Sequence, residues 1–77
     1  IRLNPRLAPA YTNRGRVYGK RREHDRAIQD FTEAIRLNPN NARAFYLRGL
    51  AKRQKGNNPG ADADIAKAKQ LDPNIDK

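Results

Sequence analysis

The pentapeptide IRLNP stands at residues 1–5 and again at residues 35–39, a separation of 34 residues in a chain of 77. When the sequence is slid over itself by that distance, fifteen of the 43 overlapping positions are identical. The matches run the length of the overlap. They include Ala8/Ala42, Ala10/Ala44, Arg14/Arg48, Gly15/Gly49, Ala27/Ala61, Asp30/Asp64, Ala34/Ala68, Leu37/Leu71 and Pro39/Pro73, with Tyr11/Phe45 and Phe31/Ile65 as conservative replacements. A repeat of this length means that one supersecondary unit is stacked on the next, so it decides the architecture before any local propensity does.

Within each unit the apolar spacing is helical. Ala27, Ile28, Phe31, Ala34 and Ile35 fall at i, i+1, i+4, i+7 and i+8, and Ala61, Ile65, Ala68 and Leu71 repeat the stripe more sparsely. Upstream, Ala10, Tyr11, Gly15 and Tyr18 make another. A glycine inside a helix costs about 1 kcal/mol relative to alanine. Its recurrence at Gly15 and Gly49 reads as close helix approach. Asn38-Pro39 and Asp72-Pro73 end helices, because the residue before proline is pushed out of the helical region. Gly56 reads as a helix C-cap, and Asn58-Pro59 as the cap and first residue of the next helix. The spacing predicts four helices, at 8–21, 25–38, 42–55 and 59–71, paired as antiparallel hairpins, with no strand.

Composition narrows the function classes. There is no Cys and no Ser, and His24 is the one imidazole. Disulfides, thiolate metal sites and the commonest nucleophiles are therefore absent, and neither catalysis nor a cofactor is expected. Asp62 and Asp64 point to different helix faces, Asp30 and Glu33 read as helix solvation, and His24 falls in the turn between the first two helices. Gly56-Asn57-Asn58-Pro59-Gly60 lacks the Lys-Ser/Thr ending of a phosphate loop and reads as a turn. No apolar run reaches the roughly 20 residues of a membrane span, and no segment resembles a signal peptide. The first residue is not Met, which suggests an excised or processed piece. The formal net charge is +9, which predicts acidic or polyanionic partners.

The sequence resembles the tetratricopeptide repeat family, whose period is 34 residues. The first copy carries the family pattern with Tyr11, Gly15, Tyr18, Ala27, Phe31, Ala34 and Pro39, the second with Phe45, Gly49, Ala61, Ala68 and Pro73. The resemblance implies an all-α fold of helix-turn-helix units stacked as a short right-handed solenoid. Repeat one would span 8–41 and repeat two 42–75, with 1–7 the tail of a preceding unit and 76–77 the end. Both copies depart from the pattern with Arg where Leu is usual (Arg14, Arg48), and the second has Lys52 and Asn58 at aromatic places, so the second hairpin should be the weaker. A polar capping helix usually follows the last repeat, so residues 59–77 are expected to leave apolar area bare, for self-association or a partner to cover.

The resemblance also implies a concave binding surface lined by the first helix of each pair. Carried over, the lining places are Pro9, Thr12, Asn13, Arg16, Gly19 and Lys20, then Arg43, Tyr46, Leu47, Leu50, Arg53 and Gln54. Members of the family that grip peptides often use Asn at the place of Asn13, where an amide can donate to and accept from backbone. Tyr46, Leu47 and Leu50 would form an apolar corner, or else pack on another repeat or chain. Residues 9–22 and 42–55 each hold five basic side chains and no acid, whereas the two second helices are near neutral. The reading drawn from these features is a non-catalytic module holding an acidic or C-terminal peptide in a basic groove, with Arg forks suited to carboxylates. Two other classes compete with it. One is a nucleic-acid surface, which +9 would serve by counterion release but which has few exposed aromatics for stacking. The other is a structural solenoid piece that self-associates.

Overall fold

The computed structural model describes residues 5–76. A 3₁₀ turn at Pro5–Leu7 leads into four helices, α1 (Ala8–Lys20), α2 (His24–Leu37), α3 (Ala42–Gln54) and α4 (Asn58–Leu71). No strand occurs among the described residues. The four expected helices are all present, each ending within a residue or so of its predicted limits. Of the expected leading tail, residues 1–4 lie outside the described residues.

The turns repeat as the sequence does. After α1, the Glu23 N–H reaches back to the Tyr18 carbonyl at 2.9 Å, and after α3 the Asn57 N–H reaches the Lys52 carbonyl at 2.8 Å. This six-residue closure needs a left-handed residue in the middle. Gly56 supplies it with φ 93°, as expected, but the same place in the first turn is held by Arg22 at φ 63°. The cap of α4 is Asn57, one residue before the predicted Asn58, and its side chain accepts from the Gly60 N–H. Asn41 caps α3 likewise, accepting from Ala44. Asn38 and Asp72 leave the helical region just before their prolines.

The helices pack in chain order, α1 on α2, α2 on α3 and α3 on α4, with a lesser contact between α1 and α3. The buried core is mostly alanine: Ala8, Ala27, Ala34, Ala44, Ala51, Ala61 and Ala68, with Phe31 and Leu37. Small side chains let the helices approach, and the glycines take this furthest. A Cβ on Gly15 would stand 2.6 Å from the Phe31 ring, and one on Gly49 would stand 2.8 Å from Ile65 Cγ1. Burying Phe31 contributes about 1.5–3 kcal/mol. Its counterpart Ile65 is only half-buried, so the second hairpin has the thinner core.

Apolar exposure lies at the other end from that expected. Among the described residues, the large apolar side chains left exposed are Leu7 and Val17, beside and on α1. Residues 59–76 expose none of comparable size, because the outer places of α4 hold Asp62, Ala66 and Lys69.

Candidate functional site

An open hollow of about 270 Å³ lies between α1 and α3, with α2 beneath. Its floor is apolar: Phe31 from α2 and Leu47, Leu50 and Ala51 from α3. Arg16, Gly19 and Lys20 of α1 form one side, and Gln54 and His24 complete it. The lining follows from helix geometry. Arg16 and Lys20 stand one turn apart on α1, and Leu47, Leu50 and Gln54 lie on one face of α3. Neither Arg16 nor Lys20 pairs with a carboxylate among the described residues. His24 is the first residue of α2 rather than a turn residue, and its Nδ1 is buried without a hydrogen-bond partner.

The other expected lining residues divide. Thr12, Asn13 and Arg43, with Pro9 and Asn41, line a second hollow of about 180 Å³ near the N-terminal end of α1. Asn13 and Arg43 are exposed there, but Thr12 is 4% exposed and its hydroxyl donates to the Ala8 carbonyl at 3.0 Å, so it has little to offer a ligand. Tyr46 is half-buried and lines neither hollow. Arg53 turns away to α4, where it donates to Asp62 Oδ1 at 2.8 Å. Thus Arg16, Lys20, Leu47 and Leu50 come together, while Arg53 is occupied elsewhere.

The largest electrostatic feature was not expected. Asp30, read from sequence as helix solvation, is 5% exposed and accepts two bonds from Arg14, from Nε and Nη2, both at 2.8 Å. Asp64, also 5% exposed, accepts from Arg48 Nε at 2.8 Å and Nη2 at 2.9 Å. Lys52 Nζ adds a second cation at 3.0 Å. Such forked bonds are among the stronger polar contacts a side chain makes. They fix the angle within each hairpin, and they explain why Arg stands at 14 and 48. Lys52 thereby exchanges an aromatic contact for an ionic one. Burial would raise the Asp64 carboxyl, but the hydrogen bonds and charges of Arg48 and Lys52 outweigh it and hold its pKa below the ordinary value. The hydrogen bonds and charge of Asp30 likewise push Arg14 still further up. The signal was available: both partners recur at the 34-residue period, each pair 16 residues apart.

The guanidinium groups also occupy ring faces. Arg14 lies 5.6 Å from the Tyr11 centroid and 5.9 Å from that of Tyr18, Arg26 covers Tyr18 at 5.7 Å, and Arg48 covers Phe45 at 5.5 Å. With Phe31 buried, Tyr46 is the one aromatic ring without such a cover among the described residues. No helix among the described residues is long and apolar enough to cross a membrane.

Comparison with known families agrees with this architecture. A tetratricopeptide repeat model matches residues 8–41 and a second model of the same repeat matches residues 42–75. Comparison with curated proteins finds none that matches the chain.

Proposed function

The chain belongs to the tetratricopeptide repeat family, and from that premise we propose that it holds an acidic peptide segment in the hollow between α1 and α3. Repeats of this family are generally protein–protein interaction modules and non-catalytic scaffolds. The observation that carries the finer reading is one juxtaposition: two cations without carboxylate partners, Arg16 and Lys20, beside an apolar floor of Phe31, Leu47, Leu50 and Ala51. A carboxylate from the peptide, a side chain or its C-terminus, meets the cations, and a neighbouring apolar side chain takes the floor. The carboxylate gives orientation and the apolar contact gives affinity that salt does not screen.

A nucleic-acid surface is the weaker reading, because base stacking needs open ring faces and Tyr46 alone is a poor platform.

The test is fluorescence anisotropy with three probes at low and physiological salt: an acidic peptide with a free C-terminus and one leucine, its amidated twin, and a single-stranded DNA of about 20 nucleotides. The peptide should bind more tightly than DNA and keep most of its affinity in salt. Arg16→Ala with Lys20→Ala should weaken it about tenfold or more, since a charged hydrogen bond is worth about 1.5–3 kcal/mol. Leu50→Asp should abolish it. If DNA wins, or if all binding disappears with salt, the basic face is a polyelectrolyte surface and the proposal fails. The free and amidated twins separate a C-terminal carboxylate from a side-chain one.

A further inference from the structure

Glycine inside a helix is unfavourable relative to alanine, so each one needs a reason. In α1 and α3 the reason can be read from what an added Cβ would meet. Gly15 takes the Phe31 ring of α2 against its backbone, where a Cβ would stand 2.6 Å from that ring, and Gly49 does the same for Ile65 at 2.8 Å. Gly19 differs, because a Cβ there meets nothing within 4 Å. The turn that follows does not need it either. The left-handed residue of that turn is Arg22, and Gly19 is not at positive φ. Its counterpart 34 residues on is Arg53, so the repeat makes no demand for glycine at this place.

Helix geometry gives the open place a setting. Gly15 and Gly19 are four residues apart, one turn along the same face of α1. At Gly15 that face receives an aromatic ring of the chain itself. At Gly19 it is half-buried and opens on the α1–α3 hollow, whose lining includes Phe31, Leu50, Ala51 and Gln54. At about 270 Å³ the hollow falls just short of the roughly 300–1,000 Å³ of sites that enclose a whole small molecule, which suits one large side chain.

Building on the peptide reading above, we propose that Gly19 determines which side chain the hollow accepts, and that the occupant is an aromatic residue of the acidic peptide. The ring lies against the bare backbone at Gly19, as Phe31 lies against Gly15. Contact with the Phe31 ring in the floor adds to the area buried, since paired rings attract beyond their burial. Leu50 and Ala51 complete the apolar contact, and Arg16 and Lys20 hold the carboxylate beside it. A leucine fills less of the space and an alanine leaves most of it empty. A side chain at position 19 would take the place of the ring.

The test uses the full chain and three acidic peptides that differ at one residue: alanine, leucine or phenylalanine. By fluorescence anisotropy affinity should rise in that order, with phenylalanine at least tenfold tighter than alanine. Gly19→Leu should keep the helical circular dichroism spectrum, because nothing stands near its Cβ. It should weaken the phenylalanine peptide at least tenfold and the alanine peptide less than threefold, since Arg16 and Lys20 are untouched. Gly19→Ala should raise the thermal midpoint by roughly 4 °C while weakening the phenylalanine peptide, an opposition that a merely structural glycine would not give. Equal affinity for the three peptides, leucine binding as tightly as phenylalanine, or an unchanged preference in Gly19→Leu overturns the proposal and leaves the peptide reading standing. Equal weakening of all three peptides by Gly19→Leu, or a lower midpoint for Gly19→Ala, also overturns it, because the glycine then serves the fold. If none of the peptides binds the unaltered chain, the peptide reading falls and this proposal with it.

Discussion

Removing Asp64 should damage this protein more than removing Asp30, although the two occupy equivalent places and are equally buried. The Asp64 carboxylate holds Arg48 and Lys52, whose side chains are 18% and 23% exposed. Asp64→Ala leaves both cations half-enclosed with no counter-charge, and breaking a buried pair on one side costs about 3–5 kcal/mol. At about 0.05–0.15 kcal/mol per residue, a chain of 77 residues has roughly 4–12 kcal/mol in total. The substitution thus takes a large share of the stability, and all of it at the lower end of that range. Asp30→Ala frees only Arg14, whose side chain is 60% exposed and regains water, so its effect should be clearly smaller. Urea unfolding followed by far-ultraviolet circular dichroism reads the order directly. With m about 1 kcal/mol per M for a small domain, the Asp64→Ala midpoint should fall by roughly 3 M or the chain should be unfolded in buffer. Asp64→Leu combined with Arg48→Met and Lys52→Leu should recover much of the loss, because an apolar replacement of the whole cluster removes the unpaired charges. Equal midpoints for the two single variants, or a lower one for Asp30→Ala, would refute the reasoning. The pH dependence has a definite sign. Asp64 is held below its ordinary pKa, so its contribution is whole above about pH 4 and is lost as pH falls through the depressed folded value. Acid unfolding of Asp64→Ala, where it still folds, should lack that component.

Other substitutions probe the backbone and the close contacts. Gly15→Ala would place a Cβ 2.6 Å from the Phe31 ring and should destabilise by about 1–3 kcal/mol, seen as a lower thermal midpoint. Arg22→Gly replaces a left-handed arginine with the residue that the second turn already uses, and should stabilise by up to about 1 kcal/mol. A fall in midpoint would show that the arginine side chain contributes more than its backbone strain costs. Asn41→Ala removes the side-chain cap of α3 and should cost about 1 kcal/mol, with faster amide exchange at Ala44.

The fold was legible because stacked hairpins write their own period into the chain. IRLNP and the two proline stops mark boundaries that later packing does not move, and the recurring glycines mark where the helices approach most closely. Arg16 and Lys20 could be grouped because one face of α1 carries both, and Leu47 and Leu50 because one face of α3 does. The ionic clasps escaped the same reasoning. Periodicity along one helix says nothing of a partner 16 residues away on the next, and Asp30 looks like any solvated acid until Arg14 is set beside it. The pairing of Arg53 was hidden for the same reason, since its partner Asp62 lies across the turn. The charge on the outer places of α4 was hidden in the unmatched positions rather than the matched ones. Ile28 and Ile35 become Asp62 and Lys69, and attention to identities passes over such pairs.

Packing in chain order also governs when this molecule comes into being. The ionic clasps close loops of only 16 residues, and topologies built from such near neighbours fold in microseconds to milliseconds. A ribosome adds roughly 5–20 residues per second, far more slowly. The hairpin around Phe31 therefore has time to close once clear of the ribosome, before the chain is complete. The second hairpin then forms against a surface already in place, and the order of synthesis becomes the order of assembly.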